Sequence, residues 1–285
     1  MPKAKFIEEF FHRIPYSSPN LAQPLGQLGT WDCLAAILAS DNPDVLVVRD
    51  GVRSPGPAPT TLEAAQALSQ DGYTVLIRHA EKHDPRLKQL AQSFESDFSA
   101  PVDIHIYVTP AGRHGFGWHY DAEDVFIIQT SGAKQYSLRK NTVHPWPVVE
   151  TLSADMAYPR EIMPLMRVVL AAGDWLYIPC GYWHKAEAVG TLEPSISLAV
   201  GVLTPAALDV LDFARNYLVQ SLVWRQRLPI SGDASPLTAE ERQQRYRELF
   251  GQLGDDLAKT FRDERFVRSF LEGRAGQEAE RREPE

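Results

Sequence analysis

Two residues of this sequence, His119 and Asp121, have the types and spacing of metal ligands. They lie two positions apart in the run GFGWHYD, residues 115–121. On a β-strand, residues i and i+2 point to the same face, so an imidazole and a carboxylate can bind one cation from these positions. A surface His-Asp pair on a half-exposed strand explains the tripeptide equally well, so it does not establish a metal site by itself.

A second histidine, His184, can complete a metal site. It follows a short apolar strand at 175–178 and a turn that contains Pro179 and Gly181. Two histidines and one carboxylate on one face of a metal are the ligands of non-haem Fe(II) oxygenases, which leave positions open for a cosubstrate and O₂. Taken alone, His184 can also be a hydrogen-bonded core histidine.

Lys134 is a candidate anchor for an anionic ligand. It lies 13 positions after Asp121, just past a predicted hairpin turn, and it shares a strand face with Tyr136 and Leu138. A lysine that points into a barrel is costly unless an anion neutralises it. A dicarboxylate bound to the metal at one end supplies that anion at the other, whereas an ordinary lysine at a turn lies in solvent.

The predicted strand 102–109 presents polar residues on one face. Asp103, His105, Tyr107 and Thr109 alternate with apolar residues. This face is either solvated or part of a polar cavity beside the metal strand. Tyr107, with Thr109 beside it, is the candidate for a hydrogen bond to a cosubstrate, and we expect His105 to support a ligand or to face the substrate.

These residues fall in a zone of short strands, residues 101–203, which indicates a β-sandwich or barrel. The residues 131–133, Ser-Gly-Ala, predict a hairpin. The predicted strands of this zone are 102–109, 124–129, 134–139, 166–171, 175–178 and 195–202.

The zone that precedes the barrel, residues 1–100, is predicted to be mainly helical, with two strands at 45–48 and 73–78. We expect Thr30 to cap a helix over 31–38, and Thr60 with Glu63 to form a capping box. The remaining predicted helices are 5–14 and 85–98, the latter opened by Asp84-Pro85.

A third zone, residues 204–272, is again predicted to be helical. Thr204-Pro205 has the pattern of a helix start, and Thr238 with Glu241 forms a capping box. The apolar stripe from Leu208 to Leu222 is a candidate dimerisation surface. From Gly273 onward, a tail rich in Glu and Arg predicts a solvated or disordered end.

Composition narrows the function classes. Of 285 residues, 37 are acidic and 29 are basic, which gives a net charge of -8 and argues against a broad nucleic-acid-binding face. Two cysteines exclude a disulfide framework and a cysteine-rich zinc site, so a metal site must use histidine and carboxylate. The sequence has neither a signal-peptide pattern nor an apolar run long enough to span a membrane, so we expect a cytoplasmic protein.

The motifs together resemble the JmjC-type, cupin-fold 2-oxoglutarate oxygenases, in particular the ribosomal-oxygenase branch. The resemblance is carried by YVTP at 107–110, HYDAEDVF at 119–126, GAK at 132–134 and the segment 173–184. It implies a mainly β fold with helical flanks, a double-stranded β-helix (jelly-roll) barrel. Two features depart from the branch. Trp118 stands where proline is usual, and about 80 residues follow the barrel, in which we do not expect a complete winged-helix domain.

The resemblance also implies an activity and its cofactors. Fe(II) would be held by His119, Asp121 and His184, and Lys134 would pair with the distal carboxylate of 2-oxoglutarate. Ser197, on the last barrel strand, would face this cosubstrate. The implied reaction uses O₂, converts 2-oxoglutarate to succinate and CO₂, and hydroxylates a substrate C–H bond.

The substrate is most simply a protein side chain, ribosomal proteins included, although a small molecule and demethylation remain open. Two other functions also stay open. One is a cupin metalloenzyme that does not use 2-oxoglutarate, which would not need Lys134 as an anchor. The other is a non-catalytic binding module that retains the ligand residues.

Overall fold

The computed structural model describes residues 1–152, 165–190 and 193–282, with side chains through residue 274. The chain divides into two compact units, Met1–Thr204 and Pro205–Glu285, close to the predicted boundary. Among the described residues, no helix combines the length and the hydrophobicity needed to cross a membrane.

The first unit contains all eleven strands of the described chain and four α-helices. The helices are α1 (Lys3–Glu9), α2 (Trp31–Leu38), α3 (Leu62–Gln70) and α4 (Pro85–Phe98). The strands are β1 (Tyr16–Ser18), β2 (Asp44–Arg49), β3 (Val52–Arg53), β4 (Thr74–Arg78), β5 (Val102–Thr109), β6 (Asp124–Ser131), β7 (Ala133–Arg139), β8 (Met166–Ala171), β9 (Trp175–Ile178), β10 (Trp183–Val189) and β11 (Ser195–Val202).

These strands form two antiparallel sheets. The larger has the order β1-β9-β6-β11-β5-β4-β2-β3, and the smaller has the order β10-β7-β8. The predicted mainly β architecture with helical flanks is confirmed. The bounds of β5, β8, β9 and β11 are those predicted, and Gly132 makes the predicted hairpin with a positive φ of 65°.

The central strands of the large sheet separate two hydrophobic cores. All eight residues of β11 are buried, and successive side chains point to opposite faces. Phe126 and Ile128 of β6 pack in the core that contains the helices. Val125 and Ile127, on the other face, pack with Tyr136 of the small sheet. The first unit therefore has helices, large sheet and small sheet in layers.

Helix starts in the first unit follow local capping chemistry. The hydroxyl of Thr30 accepts from the Cys33 N–H, and Asp84 caps α4, as predicted. The predicted box at Thr60 and Glu63 is wrong by one residue. Thr61 caps α3, because its hydroxyl accepts from the Ala64 N–H once the helix begins at Leu62.

Helix α1 ends at Glu9 and not at Ile14 as predicted. His12 has a positive φ of 58°, which interrupts the helix. Its backbone N–H donates to the Tyr177 hydroxyl at 2.8 Å instead of to a helical carbonyl. A tertiary hydrogen bond therefore competes with helix propagation at this position.

Three α-helices form the second unit: α5 (Asp209–Leu218), α6 (Ala239–Arg262) and α7 (Glu264–Arg282). The predicted capping box of Thr238 and Glu241 is confirmed. The predicted helix start at Thr204-Pro205 is wrong, because α5 begins at Asp209 and the Thr204 hydroxyl donates to Asp124. Ala214, Leu218 and Phe266 form the buried core of this unit.

The backbone of α7 continues past Gly273, where we expected a solvated or disordered tail. Gly273 and Gly276 each cost the helix only about 1 kcal/mol, and good helix formers lie between and after them. Residues 283–285 of the predicted tail lie outside the described residues.

Candidate metal centre

The two predicted histidine ligands are joined through their backbones. The His119 N–H donates to the His184 carbonyl at 3.1 Å, and the His184 N–H donates to the His119 carbonyl at 2.8 Å. This isolated bridge lies where β10 begins, and it brings the two ring centroids to 4.1 Å. The bridge holds the imidazoles side by side although 64 residues separate them in the chain.

Asp121 completes the cluster that the sequence predicts. One ligand atom from each of His119, Asp121 and His184 lies within 4.8 Å of the others. The Nε2 atom of His184 is 3.4 Å from the Asp121 carboxylate. His119 and His184 are buried, whereas Asp121 is partly exposed, so the cluster faces a cavity rather than bulk solvent.

Backbone carbonyls orient both imidazoles. The Nδ1 atom of His119 is 2.8 Å from the Gly117 carbonyl, and that of His184 is 3.0 Å from the Tyr182 carbonyl. A carbonyl oxygen only accepts, so each Nδ1 carries the proton and each Nε2 keeps its lone pair. Ligating histidines commonly have this outer hydrogen bond, and both rings therefore fit a metal.

Burial also keeps His184 uncharged. Loss of solvent lowers the pKa of His184 well below its ordinary value, and the neighbouring His119 lowers it further. Asp121 acts in the opposite direction and raises the pKa of His184. Because a metal binds neutral imidazole, the balance favours the state of His184 that can ligate.

Lys134 points into the same cavity, as the strand pattern predicts. The cavity has a volume of about 940 Å³ and is lined by all three candidate ligands. The lysine is buried, and its Nζ atom lies 3.2 Å from the Ser197 hydroxyl and 5.3 Å from the Tyr107 ring centroid. Among the described residues, no carboxylate lies within ion-pair distance of this nitrogen, so the amine lacks a countercharge.

Tyr107 and Thr109, the other predicted cosubstrate residues, line the same cavity. Burial raises the pKa of Tyr107 far above its usual range, so the phenol stays protonated and can donate a hydrogen bond. Ser197 is buried beside Lys134, although it does not line the cavity. His105 also lines the cavity, and burial lowers the pKa of its imidazole.

Glu123 is a cavity residue that the sequence analysis missed. Burial, followed by the charges of Asp121 and Asp103, raises the pKa of its carboxyl to about 7. Gly201 of β11 lies against the Glu123 carboxyl, and a Cβ at residue 201 would collide with it. The i+2 spacing from Asp121 was a usable signal, whereas the space provided by Gly201 requires the three-dimensional pairing.

A polar network holds the chain directly after the metal motif. Asp124, the first residue of β6, is buried and accepts a hydrogen bond from the Tyr177 hydroxyl at 2.5 Å. The Cys180 N–H and the Thr204 hydroxyl also donate to it, at 3.3 and 3.2 Å. His12 Nε2 lies 2.9 Å from Asp124 Oδ2, the oxygen that also accepts from Thr204. Four chain segments therefore fix the position of β6 relative to Asp121.

Residues 76–210 match the family model for the JmjC domain. The match identifies a JmjC-like region that spans a little less than half of the chain. All three candidate ligands and Lys134 lie within the matched residues. So do both sheets, apart from β1, β2, β3 and the first two residues of β4.

Curated relatives resemble about half of this chain at moderate identity. The bifunctional lysine-specific demethylase and histidyl-hydroxylase NO66 of Drosophila mojavensis is 31% identical over 152 residues, which are 51% of this chain and 17% of that protein. Ribosomal oxygenase 2 of Mus musculus is 31% identical over 139 residues, 49% of this chain and 29% of that protein. The chain spans less than a third of the length of each.

Solved structures resemble this chain in fold. The Escherichia coli ribosomal oxygenase YcfD, in complex with cobalt and 2-oxoglutarate, matches with a TM-score of 0.58 at 20% identity. The match covers 89% of this chain and 66% of that chain. A structure of the same protein with cobalt and succinic acid matches with a TM-score of 0.55.

Proposed function

We propose that this protein is an Fe(II)- and 2-oxoglutarate-dependent oxygenase that hydroxylates a C–H bond of a protein side chain. The observation that carries the proposal is one cavity that contains both a His-Asp-His cluster and a buried, unneutralised lysine. Metal ligands alone fit many cupin enzymes. The lysine adds a requirement for an anion, and a dicarboxylate bound to the metal meets it.

His119, Asp121 and His184 would hold the iron. Fe(II), once bound, supplies the chemistry that consumes O₂ and 2-oxoglutarate, releases succinate and CO₂, and places one oxygen atom in the substrate C–H bond. The protein's own contribution is binding and orientation. The carbonyls of Gly117 and Tyr182 fix the imidazoles.

Lys134 would bind the distal carboxylate of 2-oxoglutarate through a charge-assisted hydrogen bond. The Ser197 hydroxyl, which already contacts Nζ at 3.2 Å, would hold the ammonium in position. Tyr107 and Thr109 would contact the same cosubstrate from β5. The names of the relatives support a protein substrate, with ribosomal proteins among the candidates.

A Lys134→Ala variant tests the anchor, and Lys140→Ala is a matched control because Lys140 is exposed just after the same strand. With Fe(II) under anaerobic conditions, the wild type should give a weak visible charge-transfer band on addition of 2-oxoglutarate and should form succinate once O₂ is added. We expect Lys134→Ala to lose at least tenfold in 2-oxoglutarate affinity, because the dianion loses its buried cation. Unchanged affinity in this variant would count against Lys134 as the anchor, and a metal-loaded wild type with no affinity for 2-oxoglutarate would indicate a cupin enzyme that does not use it.

Loss of the metal ligands provides the second arm of the test. His119→Ala should abolish the band and succinate formation while far-ultraviolet circular dichroism stays unchanged. A wild type that forms neither the band nor succinate would indicate a non-catalytic module. A +16 Da shift that is present in the wild-type proteome and absent from a deletion strain would identify the substrate.

Self-association and location are further parts of the proposal. A homodimer through the helices after Thr204 is supported by exposed apolar residues there, among them Leu208, Leu211 and Leu222. Light scattering that gives the monomer mass at working concentration would remove this part. A cytoplasmic location stays a prediction.

A further inference from the structure

A second cluster of metal-ligating side chains lies where β4 ends. It consists of His79, Glu81 and Asp103, and one ligand atom of each lies within 4.8 Å of the others. His79 follows the last residue of β4, Glu81 lies in the short turn of 3-10 helix after it, and Asp103 is on the paired strand β5. None of the three lines the cavity around Lys134.

The spacing of the ligand atoms suits a shared cation. His79 Nδ1 lies 3.1 Å from the Asp103 carboxylate, to which it donates a hydrogen bond when no metal is bound, and 3.9 Å from the Glu81 carboxylate. A cation at this position would replace the Nδ1 proton. Two ligands that each bind a tetrahedral ion at about 2.1 Å are themselves about 3.4 Å apart. The observed distances fall on both sides of that value, and the Glu81 oxygen is too distant for a hydrogen bond to the imidazole.

Glu81 is held toward the cluster by the backbone. Its Oε2 atom accepts a hydrogen bond from the Ile104 N–H at 2.9 Å, and its side chain is only 11% exposed. The Oε1 atom is the one directed at His79. A carboxylate that is fixed and largely desolvated gains more from a neighbouring cation than one that moves freely in water.

The other two side chains give solvent access. The His79 and Asp103 side chains are 31% and 40% exposed, so a hydrated ion can enter and water can complete its coordination. One imidazole and two carboxylates suit Zn²⁺ or Mn²⁺ better than Cu(I), which prefers sulfur ligands. We propose that His79, Glu81 and Asp103 form a second site for a divalent first-row cation, separate from the His119 cluster.

The proposed ion would border the first site through one residue. The His79 N–H donates to His105 Nδ1 at 3.3 Å, and the His105 imidazole lines the cavity. An ion that fixes His79 would therefore also fix one wall of the cavity. Its presence does not depend on the proposed oxygenase activity, because no residue is shared with the other cluster.

Metal stoichiometry tests the proposal without an activity assay. Metal-free full-length protein is titrated with Zn²⁺ by calorimetry and with Mn²⁺ by electron paramagnetic resonance. We expect two ions for the wild type and one for His119→Ala/His184→Ala. Adding Asp103→Asn or His79→Ala to that double variant should weaken the remaining site at least tenfold, whereas adding His144→Ala, an exposed histidine outside both clusters, should not.

Each result decides one site. If His119→Ala/His184→Ala binds no ion while the wild type binds one, the second site does not exist and the first is intact. The second site is likewise excluded if the metal affinity of His119→Ala/His184→Ala does not change when Asp103→Asn or Glu81→Gln is added. These two substitutions are near-isosteric, so they should keep the fold even if His79→Ala does not. If the wild type binds a single ion that is lost with Asp103→Asn and kept in His119→Ala/His184→Ala, the second site stands and the proposed iron site fails.

Discussion

Burial sets the charge of the cavity lysine. Loss of solvent lowers the pKa of Lys134 from 10.5 to about 7, so near neutral pH a part of the ligand-free protein carries an uncharged amine. The unfolded chain holds more protons than the folded chain between these two values. Burial of the lysine charge therefore lowers the free energy of unfolding by its full amount below pH 7, and this loss becomes smaller as the pH rises toward 10.5.

A pH dependence of cosubstrate binding follows from this environment. A dianion favours the ammonium form, so its binding above pH 7 requires uptake of one proton. We expect the affinity of the metal-loaded protein for 2-oxoglutarate to be highest near pH 7 and to fall, approaching about tenfold per pH unit, as the pH rises to 9. Calorimetry in two buffers of different ionisation enthalpy should show proton uptake.

Lys134→Met is the control for this prediction. It has a similar shape and no titratable group, so its weak residual affinity should not change between pH 7 and 9. Constant affinity of the wild type over the same range would mean that the lysine is already charged in the free protein, and the prediction would fail.

The single-residue chemistry was largely predictable, because it depends on short-range periodicity. Strand alternation placed Lys134 in the cavity. His119 and Asp121 were predicted together from a strand, whereas they meet outside any strand, because His119 makes only an isolated bridge and β6 begins at Asp124. The position of His184 beside His119 depends on a backbone pairing between distant segments, which the strand-and-turn pattern before His184 allowed but did not specify. Glu123 shows the limit, because its place opposite Gly201 follows from the pairing of β6 with β11.

The hairpin between β6 and β7 delivers Lys134 two residues after its turn. Gly132 has a positive φ of 65°, and a Cβ there would lie 3.1 Å from the Ser195 Cα and 3.2 Å from the Pro194 carbonyl. Backbone atoms cannot move aside as a side chain can. The turn therefore requires glycine both for its conformation and for its space.

Gly132→Ala should lower stability more than Gly112→Ala. Gly112 has a similar φ of 69°, but a Cβ at this position would meet no neighbouring atom within 4 Å, so it isolates the conformational cost. We expect Gly112→Ala to lose about 1–2 kcal/mol in urea unfolding and Gly132→Ala to lose about 1–3 kcal/mol more. Equal losses would show that the hairpin relaxes around the methyl group.

Elements with strong local signals were predicted, and elements that depend on distant partners were not. Strands β5 and β11 have clear apolar patterns and were predicted with the bounds that the structure shows. The sequence of β10, WHKAEAV, has one β-branched residue, and the strand forms because β7 pairs along its full length. Likewise, the Thr204 hydroxyl has a tertiary partner in Asp124, which removes it from the capping role that its sequence suggests.

At the scale of the whole molecule, the excess of acidic residues favours basic partners. A net charge of -8 attracts positively charged proteins and repels nucleic acid over distances up to the Debye length, about 8 Å at physiological salt. The charge therefore agrees with a protein substrate rather than with general RNA binding.

A salt series measures this effect. For a basic substrate peptide, we expect kcat/KM to fall roughly tenfold between 0.05 and 0.5 M NaCl, because screening removes the long-range attraction. The same peptide with its basic residues outside the reacting position neutralised should show a flatter dependence. An equal response of both peptides would mean that the overall charge does not guide the encounter.

The position of β11 has a consequence for the order of events during synthesis. This strand leaves the ribosome last of the eleven, yet it lies between β5 and β6 in the large sheet. After His119, Asp121 and His184 have been synthesised, the large sheet still lacks the strand between β5 and β6. This gap closes only when residue 202 has been added. Incomplete chains therefore lack the formed cavity, and the proposed iron site would be complete only in protein that has been extended through β11.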